Sequence, residues 1–414
     1  MPGLRNRLLL IPFLLLASGG QCGRPGPGPG GPTAETPGPS LDAGASAQDA
    51  GPAGEGPDAL QDVPAAADAA GDDGSQDAAE EVFDEEAALA KLTFKKVPKI
   101  PKFKPSKAQE VADPSEFEYL TDHARTNKIL AEAPWAKVKG EKTLVPMIRV
   151  RIADGTSYRF RILLDAGEDE VITGFFKPRQ ANYWDWIKES HAYSIGRLIG
   201  APTVPTVMRF MSKYKFSYFL GKITKELQDN FKWEGKKKDR LRGAFKYWVP
   251  TYRHRAFGKR IIGKTYMTEI AKSLHPVNKK VLREEHDLYL QLGRGIIFDY
   301  LIINEDRPEN LGTILMPDGS YHMVLIDNGL ALGVEHGGRT VMKNMFKSMR
   351  IFPRDMIDRI RALDEDEVSG MLRPEDDKVM MLPEVCVKQL WKRRQFILDR
   401  VDSFHEKYGD VIWY

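Results

Sequence analysis

Phe298-Asp299-Tyr300-Leu301-Ile302-Ile303-Asn304-Glu305-Asp306-Arg307-Pro308-Glu309-Asn310 begins as an apolar, helix-like run and ends as a polar loop. After a short hairpin, Val324-Leu325-Ile326-Asp327-Asn328-Gly329 is an apolar strand with an Asp at its tip. Phosphoryl transfer needs such a pairing: one carboxylate orients or deprotonates the acceptor hydroxyl, while a second carboxylate and an amide oxygen hold the cations that neutralise the phosphates. On that chemistry Asp306 is the acceptor-orienting base and Asp327 and Asn310 are metal ligands, all oxygen donors suited to Mg²⁺ or Mn²⁺. Either motif alone also reads as a polar loop, or as a hairpin in which Asn328-Gly329 is merely a good turn.

Upstream, Phe175-Phe176-Lys177-Pro178 ends an apolar strand with a Lys, and Glu189 stands on the helix that follows. A Lys at a strand end is by itself an ordinary solvated edge residue. The order strand-Lys, helix-Glu, Asp-x-x-x-Asn, strand-Asp-Asn-Gly gives it another meaning, because kinase-like folds pair a phosphate-binding Lys with a helix carboxylate in that sequence of elements.

The pattern around these motifs suggests two lobes. Ile148, Val150 and Ile152 alternate with Arg149 and Arg151 up to Asp154-Gly155; Tyr158, Phe160 and Ile162 then alternate with Arg159 and Arg161. With a third run from Val171 to Lys177, this predicts three antiparallel strands joined by short turns. From Ala181 to Gly200 the apolar period becomes helical, with Gly200 as a stop signal. Short strands follow at Thr206–Met211 and Phe245–Val249, the latter ended by Pro250, and beyond Arg253 the spacing is mostly helical. The predicted fold is α+β: an N-lobe at 119–252 with a small antiparallel sheet and one helix, and a mainly helical C-lobe at 253–414.

Phe-Lys-Pro at 176–178, Glu189 to Pro205, Phe298 to Arg307 and Leu325 to Gly329 resemble the secretory-pathway kinases that include the Golgi casein kinase and four-jointed. They resemble more distantly the type II phosphatidylinositol 4-kinases and the HipA-type kinases. The resemblance spans roughly residues 145–405. It implies a two-lobed atypical protein-kinase-like fold, ATP as donor, Lys177 and Glu189 as an ion pair, Asp306 as catalytic Asp and Asp327 as metal Asp. By the family's order of elements, Lys246 to Pro250, with Trp248 and Val249, is the interlobe strand that cradles the adenine. Three departures stand out: Pro308 follows Asp-Arg where the family often has His, Asn310 lies four residues after Asp306 rather than five, and no Gly-x-Gly-x-x-Gly loop is present.

The formal net charge of +3 hides an asymmetry: residues 1–90 carry three Arg against fifteen acids, leaving the remainder strongly basic. Basic residues crowd from Lys213 to Lys280, most densely at Lys236-Lys237-Lys238-Asp239-Arg240-Leu241-Arg242, with Phe231, Trp233 and Tyr247 interleaved. For an exported chain this suits an acidic protein, an anionic glycan or a lipid headgroup better than nucleic acid, and a solvated charged face explains it equally well. The eight His form no metal-spaced pair, and neither a Ser nucleophile elbow nor Cys-x-x-Cys occurs, so zinc hydrolysis and thiol redox chemistry have no support. His191 reads as helix surface or boundary.

All seven Trp and all fourteen Tyr lie beyond position 118, while residues 23–82 are mainly Ala, Gly, Pro, Asp, Ser and Gln. Such a stretch cannot bury enough surface to offset its ordering entropy, so residues 23–118 are expected to be a disordered acidic tether followed by a Pro/Lys linker, with the fold starting near Tyr119. Residues 1–22, with Arg5 and Arg7 before Leu8–Leu16, read as an export signal. Leu-Ala-Ser-Gly-Gly-Gln-Cys resembles a bacterial lipoprotein processing site, so lipidation at Cys22 and plain signal cleavage are both open.

Together these readings predict an exported, extracytoplasmic kinase that moves the ATP γ-phosphate to a hydroxyl, with Ser or Thr of an acidic protein as the first choice of acceptor. A phosphoinositide-like lipid or a glycan is the second choice, and a non-catalytic pseudokinase acting as a binding module is the third.

Overall fold

The computed structural model describes residues 84–90, 92, 98–100, 109–138, 144–152, 155–180, 185–220, 229–254, 264–285, 287–304, 306–307, 310–333 and 340–414. The export signal, Cys22 and the acidic repeats lie outside these residues, as do Trp184 and Pro308. No helix among the described residues is long and apolar enough to cross a membrane.

Three helices come first: α1 (Glu85–Ala90), α2 (Pro114–Thr121) and α3 (His123–Glu132). Asp113 and Asp122 cap α2 and α3 by accepting from the backbone N–H groups of Ser115 and Arg125, and Pro114 fills the first helical position, where its missing N–H costs nothing. A meander follows, β1 (Leu144–Ile152), β2 (Gly155–Gly167) and β3 (Glu170–Pro178), and then α4 (Asp185–Ile199). Next come β4 (Thr206–Ser212), α5 (Lys213–Leu220), β5 (Trp233–Glu234) and β6 (Arg240–Tyr247). These strands form an antiparallel sheet in the order β1-β2-β3-β6-β4, with β5 paired to β6. Gly243 allows the close pass of β6 along β3: a Cβ there would sit 2.3 Å from the Lys177 carbonyl oxygen.

The second half holds β7 (Arg253–His254), α6 (Lys264–Ser273), α7 (Lys279–Glu285), α8 (Leu288–Ile302), β8 (Leu311–Leu315) and β9 (Tyr321–Leu325). It closes with α9 (Thr340–Ser348), α10 (Arg354–Arg361), α11 (Glu365–Leu372) and α12 (Glu384–Tyr408). Helix α8 is apolar nearly all round and lies in the centre of the larger core, where Ile296, Ile297, Phe298, Leu301 and Ile302 are buried. The smaller core joins Phe160, Phe176, Leu241 and Phe245 of the sheet to Tyr119, Leu120 and Leu130.

The architecture is α+β, with an antiparallel sheet at one end and mostly helices at the other, but four boundaries differ from the sequence reading. The region read as a disordered tether and linker contains α1 and the start of α2, and the Ala112 N–H donates to Leu315 O at 2.7 Å. The sheet half carries α2, α3 and α5 besides α4; the caps at Asp113 and Asp122 start the first two ahead of the aromatic-rich region, and α5 follows β4 directly. The strand predicted at Phe245–Val249 is β6, Arg240–Tyr247, so the end of the densest basic run, Arg240 to Arg242, is sheet; Pro250 does not end it. Nor is 252/253 a clean division, since β7, β8 and β9 form a second sheet whose Ile314 and Val324 join the smaller core, while α4 packs its Ile187, Ile195 and Ile199 into the larger one. His191 is buried rather than on the surface, its Nε2 2.8 Å from Met380 O.

Candidate active site

Strand β3 delivers Lys177 to the interior, where it is 1% exposed. Its Nζ donates to Glu189 Oε2 on α4 at 2.7 Å and to Asp327 Oδ1, just beyond β9, at 2.5 Å. A strand, the helix that follows it and a loop 150 positions away therefore meet at one ammonium. Glu189 is buried as well, and its other oxygen accepts from Lys246 Nζ of β6 at 2.8 Å. Asp327 has a second cation: Arg159 Nη1 of β2 lies 2.9 Å from its Oδ2.

Burial alone would disfavour every one of these charges; the pairing decides the outcome. Lys177 is held above the ordinary lysine value because Asp327 and Glu189 outweigh its desolvation. Glu189 is held below the usual carboxylate range, against its burial, by Lys177 and Lys246. Asp327 lies well below that range, its desolvation overcome by Lys177, Lys246 and Arg159. Lys246 goes the other way: its burial exceeds the pull of Glu189 and lowers it.

Asp306 follows α8 through a turn at Ile303, whose φ of 51° is left-handed and costly for a β-branched residue. The Asp306 carboxylate accepts from Asn310 Nδ2 at 2.9 Å, so Asn310 orients it, and the Asn310 amide oxygen is the atom left for a cation. Asp327 is also left-handed, at φ 54°, which an Asp tolerates better than most residues.

Arg307, 1% exposed, locks the two loops together. Its Nε donates to both oxygens of Asp299 at 3.0 and 2.9 Å, its Nη1 to the carbonyls of Asn310 at 3.1 Å and Ile326 at 2.6 Å, and its Nη2 to Asn328 Oδ1. Burial pushes Asp299 up to about 6 against the pull of Arg307, so at neutral pH it meets the guanidinium as a carboxylate. Asn304 Nδ2 donates to Asn328 Oδ1 at 3.3 Å, a further link between the loop of Asp306 and that of Asp327.

Val249 is buried in the smaller core, and Trp248 stacks on Phe175 with ring centroids 5.8 Å apart. The Trp248 N–H donates to Thr173 O at 2.9 Å, and Val249 O accepts from the Tyr252 N–H at 3.3 Å.

Sequence reasoning overlooks several residues of this site. Arg159 reads there only as the outward partner in a strand alternation, and Lys246 only as part of the adenine strand. Asp299 has a signal that goes unused: a carboxylate inside an otherwise apolar helix must have a buried partner. Asp185, at the first position of α4, is a further carboxylate within electrostatic reach of Lys177, Arg159, Asp327 and Glu189.

Among the described residues no three His, Cys, Asp or Glu side chains gather to hold a metal unaided. The oxygens present, a carboxylate at Asp327 and an amide at Asn310, are the hard donors that Mg²⁺ and Mn²⁺ prefer, and such cations routinely take the rest of their shell from water and substrate phosphate. The donor set fits a cation of that kind.

No protein-family model matches the chain, and no curated protein matches it. Among solved structures, it is similar to hydra Fam20 with sugar at 15% identity, covering 75% of this chain and 95% of that one, with a TM-score of 0.47. It is similar to the Golgi casein kinase with Mn/ADP bound at 14% identity, over 70% of this chain and 78% of that one, with a TM-score of 0.45. The proinflammatory kinase CtkA of Helicobacter pylori is 15% identical over 64% of this chain and 96% of its own, with a TM-score of 0.32.

Proposed function

We propose that the chain is an atypical kinase that transfers the γ-phosphate of ATP to a hydroxyl, with Ser or Thr of an extracytoplasmic protein as acceptor. The observation that carries this reading is the Lys177 ammonium bridging Glu189 and Asp327: a buried cation fixed between a helix carboxylate and a loop carboxylate is a prepared contact for nucleotide phosphate. A purely structural ion pair needs one carboxylate, whereas here three cations and two carboxylates share one spot.

In this reading Lys177, kept charged by its partners and oriented by Glu189, holds the phosphates, and Arg159 adds a second positive group at the same place. Trp248 and Val249 are assigned to the adenine by their position between β6 and β7. Asp306, held by Asn310, accepts or orients the acceptor hydroxyl proton. Asp327 and Asn310 would hold Mg²⁺ or Mn²⁺, which when bound supplies neutralising charge for the phosphates. The apolar run and Arg pair of residues 1–22 support an extracytoplasmic place of work, tethered by lipid if Cys22 is modified.

The test offers labelled γ-phosphate from ATP to an acidic protein mixture and a lipid mixture in parallel, with Asp327→Ala as control. Label in protein that the variant fails to make supports the proposal. Label only in lipid would replace the acceptor class, and no label in either from folded protein would leave a nucleotide-binding module.

A further inference from the structure

We infer that Asp185 is a second carboxylate ligand for the divalent cation of this site, acting beside Asp327; the inference rests on the kinase reading above. Asp185 opens α4, four residues before Glu189, and its backbone packs against Gly329, two residues after Asp327. A Cβ on Gly329 would lie 2.7 Å from Asp185 Cβ and 3.3 Å from Asp185 O, so the glycine is what lets the loop of Asp327 close onto the start of α4.

The side chain is left incomplete by the protein itself. Asp185 Oδ1 is shut off from solvent and has no hydrogen-bond partner. An acid at the first turn of a helix is commonly a cap or a partner for the helix dipole, but a cap accepts a backbone N–H, and this oxygen accepts none. Nor does it form an ion pair with the cluster beside it: Lys177 pairs with Glu189 and Asp327, and Arg159 pairs with Asp327 through Nη1 while its Nε has no hydrogen-bond partner. Burial pushes its carboxyl up against the pull of Lys177 and Arg159. Asp185 as a residue is half-buried, but a carboxylate oxygen shut off from solvent without a partner is costly to keep, and a cation arriving with the nucleotide would satisfy it. With phosphate drawing on Lys177 and Arg159, Asp327 and Asp185 would both be free to hold the same ion, one from the loop after β9 and the other from the adjoining start of α4.

The experiment titrates full-length protein with Mn²⁺ at saturating ADP, counting free Mn²⁺ by electron paramagnetic resonance, for the wild type, Asp185→Asn and Asp185→Ala. Melting of each is recorded without metal or nucleotide. The inference predicts Mn²⁺ binding at least tenfold weaker in both variants, with metal-free melting unchanged or raised, since neither replacement leaves a buried charge. Unchanged Mn²⁺ affinity in the variants would overturn it while leaving the kinase reading intact. Weakened binding together with lowered metal-free melting would make Asp185 a structural residue and would also overturn it. A wild type that binds no Mn²⁺ with ADP would overturn it together with the reading it rests on.

Discussion

Lys177 Nζ and Asp327 Oδ1 lie 2.5 Å apart across 150 positions of sequence, and this contact ties the sheet to the loop after β9. Lys177 is also the buried partner of Glu189, so its removal strands two acids at once, one of which retains Lys246 and the other Arg159. Lys177→Met is expected to abolish phosphate transfer and to cost about 3 kcal/mol of stability, as loss of one partner from a buried ion pair does. Lys246→Met should cost less, because Glu189 keeps Lys177. Chemical denaturation of both variants measures the difference; equal losses would contradict the ranking.

Arg307 and Asp299 form the second prediction. Both are 1% exposed, and Arg307 additionally satisfies two carbonyls and Asn328. Arg307→Lys cannot reproduce a planar fork that reaches all of these, so it should destabilise by about 3 kcal/mol or more and reduce transfer through misplacement of Asp306 and Asp327. Thermal melting and activity at a temperature well below the midpoint separate the two effects.

Truncation gives a third. Glu116 Oε2 accepts from the Thr251 N–H at 3.1 Å and from Thr251 Oγ1 at 2.7 Å, and Val111 bridges to Leu315. A chain starting at residue 109 should melt cooperatively, whereas one starting at 119 loses these contacts and should melt several degrees lower. Equal melting of the two fragments would show that α2 adds nothing.

The fourth concerns acid. Asp327 and Glu189 are depressed in the folded chain, so they add stability above the unfolded carboxylate values, near 4. That stability is lost as pH falls through the lower folded values. Melting temperature should therefore fall below about pH 4, and the fall should be shallower in Asp327→Asn.

Much of the sheet is legible in the sequence because Phe160 and Ile162 alternate with Arg159 and Arg161 and carry the burial that sets strand register. Lys177, Glu189, Asp306 and Asp327 can be picked out since each punctuates an apolar element with a charge. Partners are another matter: Arg159 reaches Asp327 over 168 positions, and no local period records such a contact. For Asp299 the apolar helix around it signals that a buried partner is needed, but nothing in the local pattern names Arg307 as that partner. Helices α2 and α3 are obscured by the Pro and Lys content of the preceding segment, although the caps at Asp113 and Asp122 mark their starts. Asp185 looks like an ordinary first-turn acid until the glycine at 329 is found against it.

The most direct test of the phosphoryl-transfer account separates binding from chemistry at Asp306. ATP affinity and single-turnover transfer from labelled ATP are measured for the wild type and Asp306→Asn under identical metal conditions. The account predicts equal affinity and a loss of transfer of about 10²- to 10⁴-fold, the range expected when a positioned general base is removed. Transfer that survives in Asp306→Asn at the wild-type rate would contradict it.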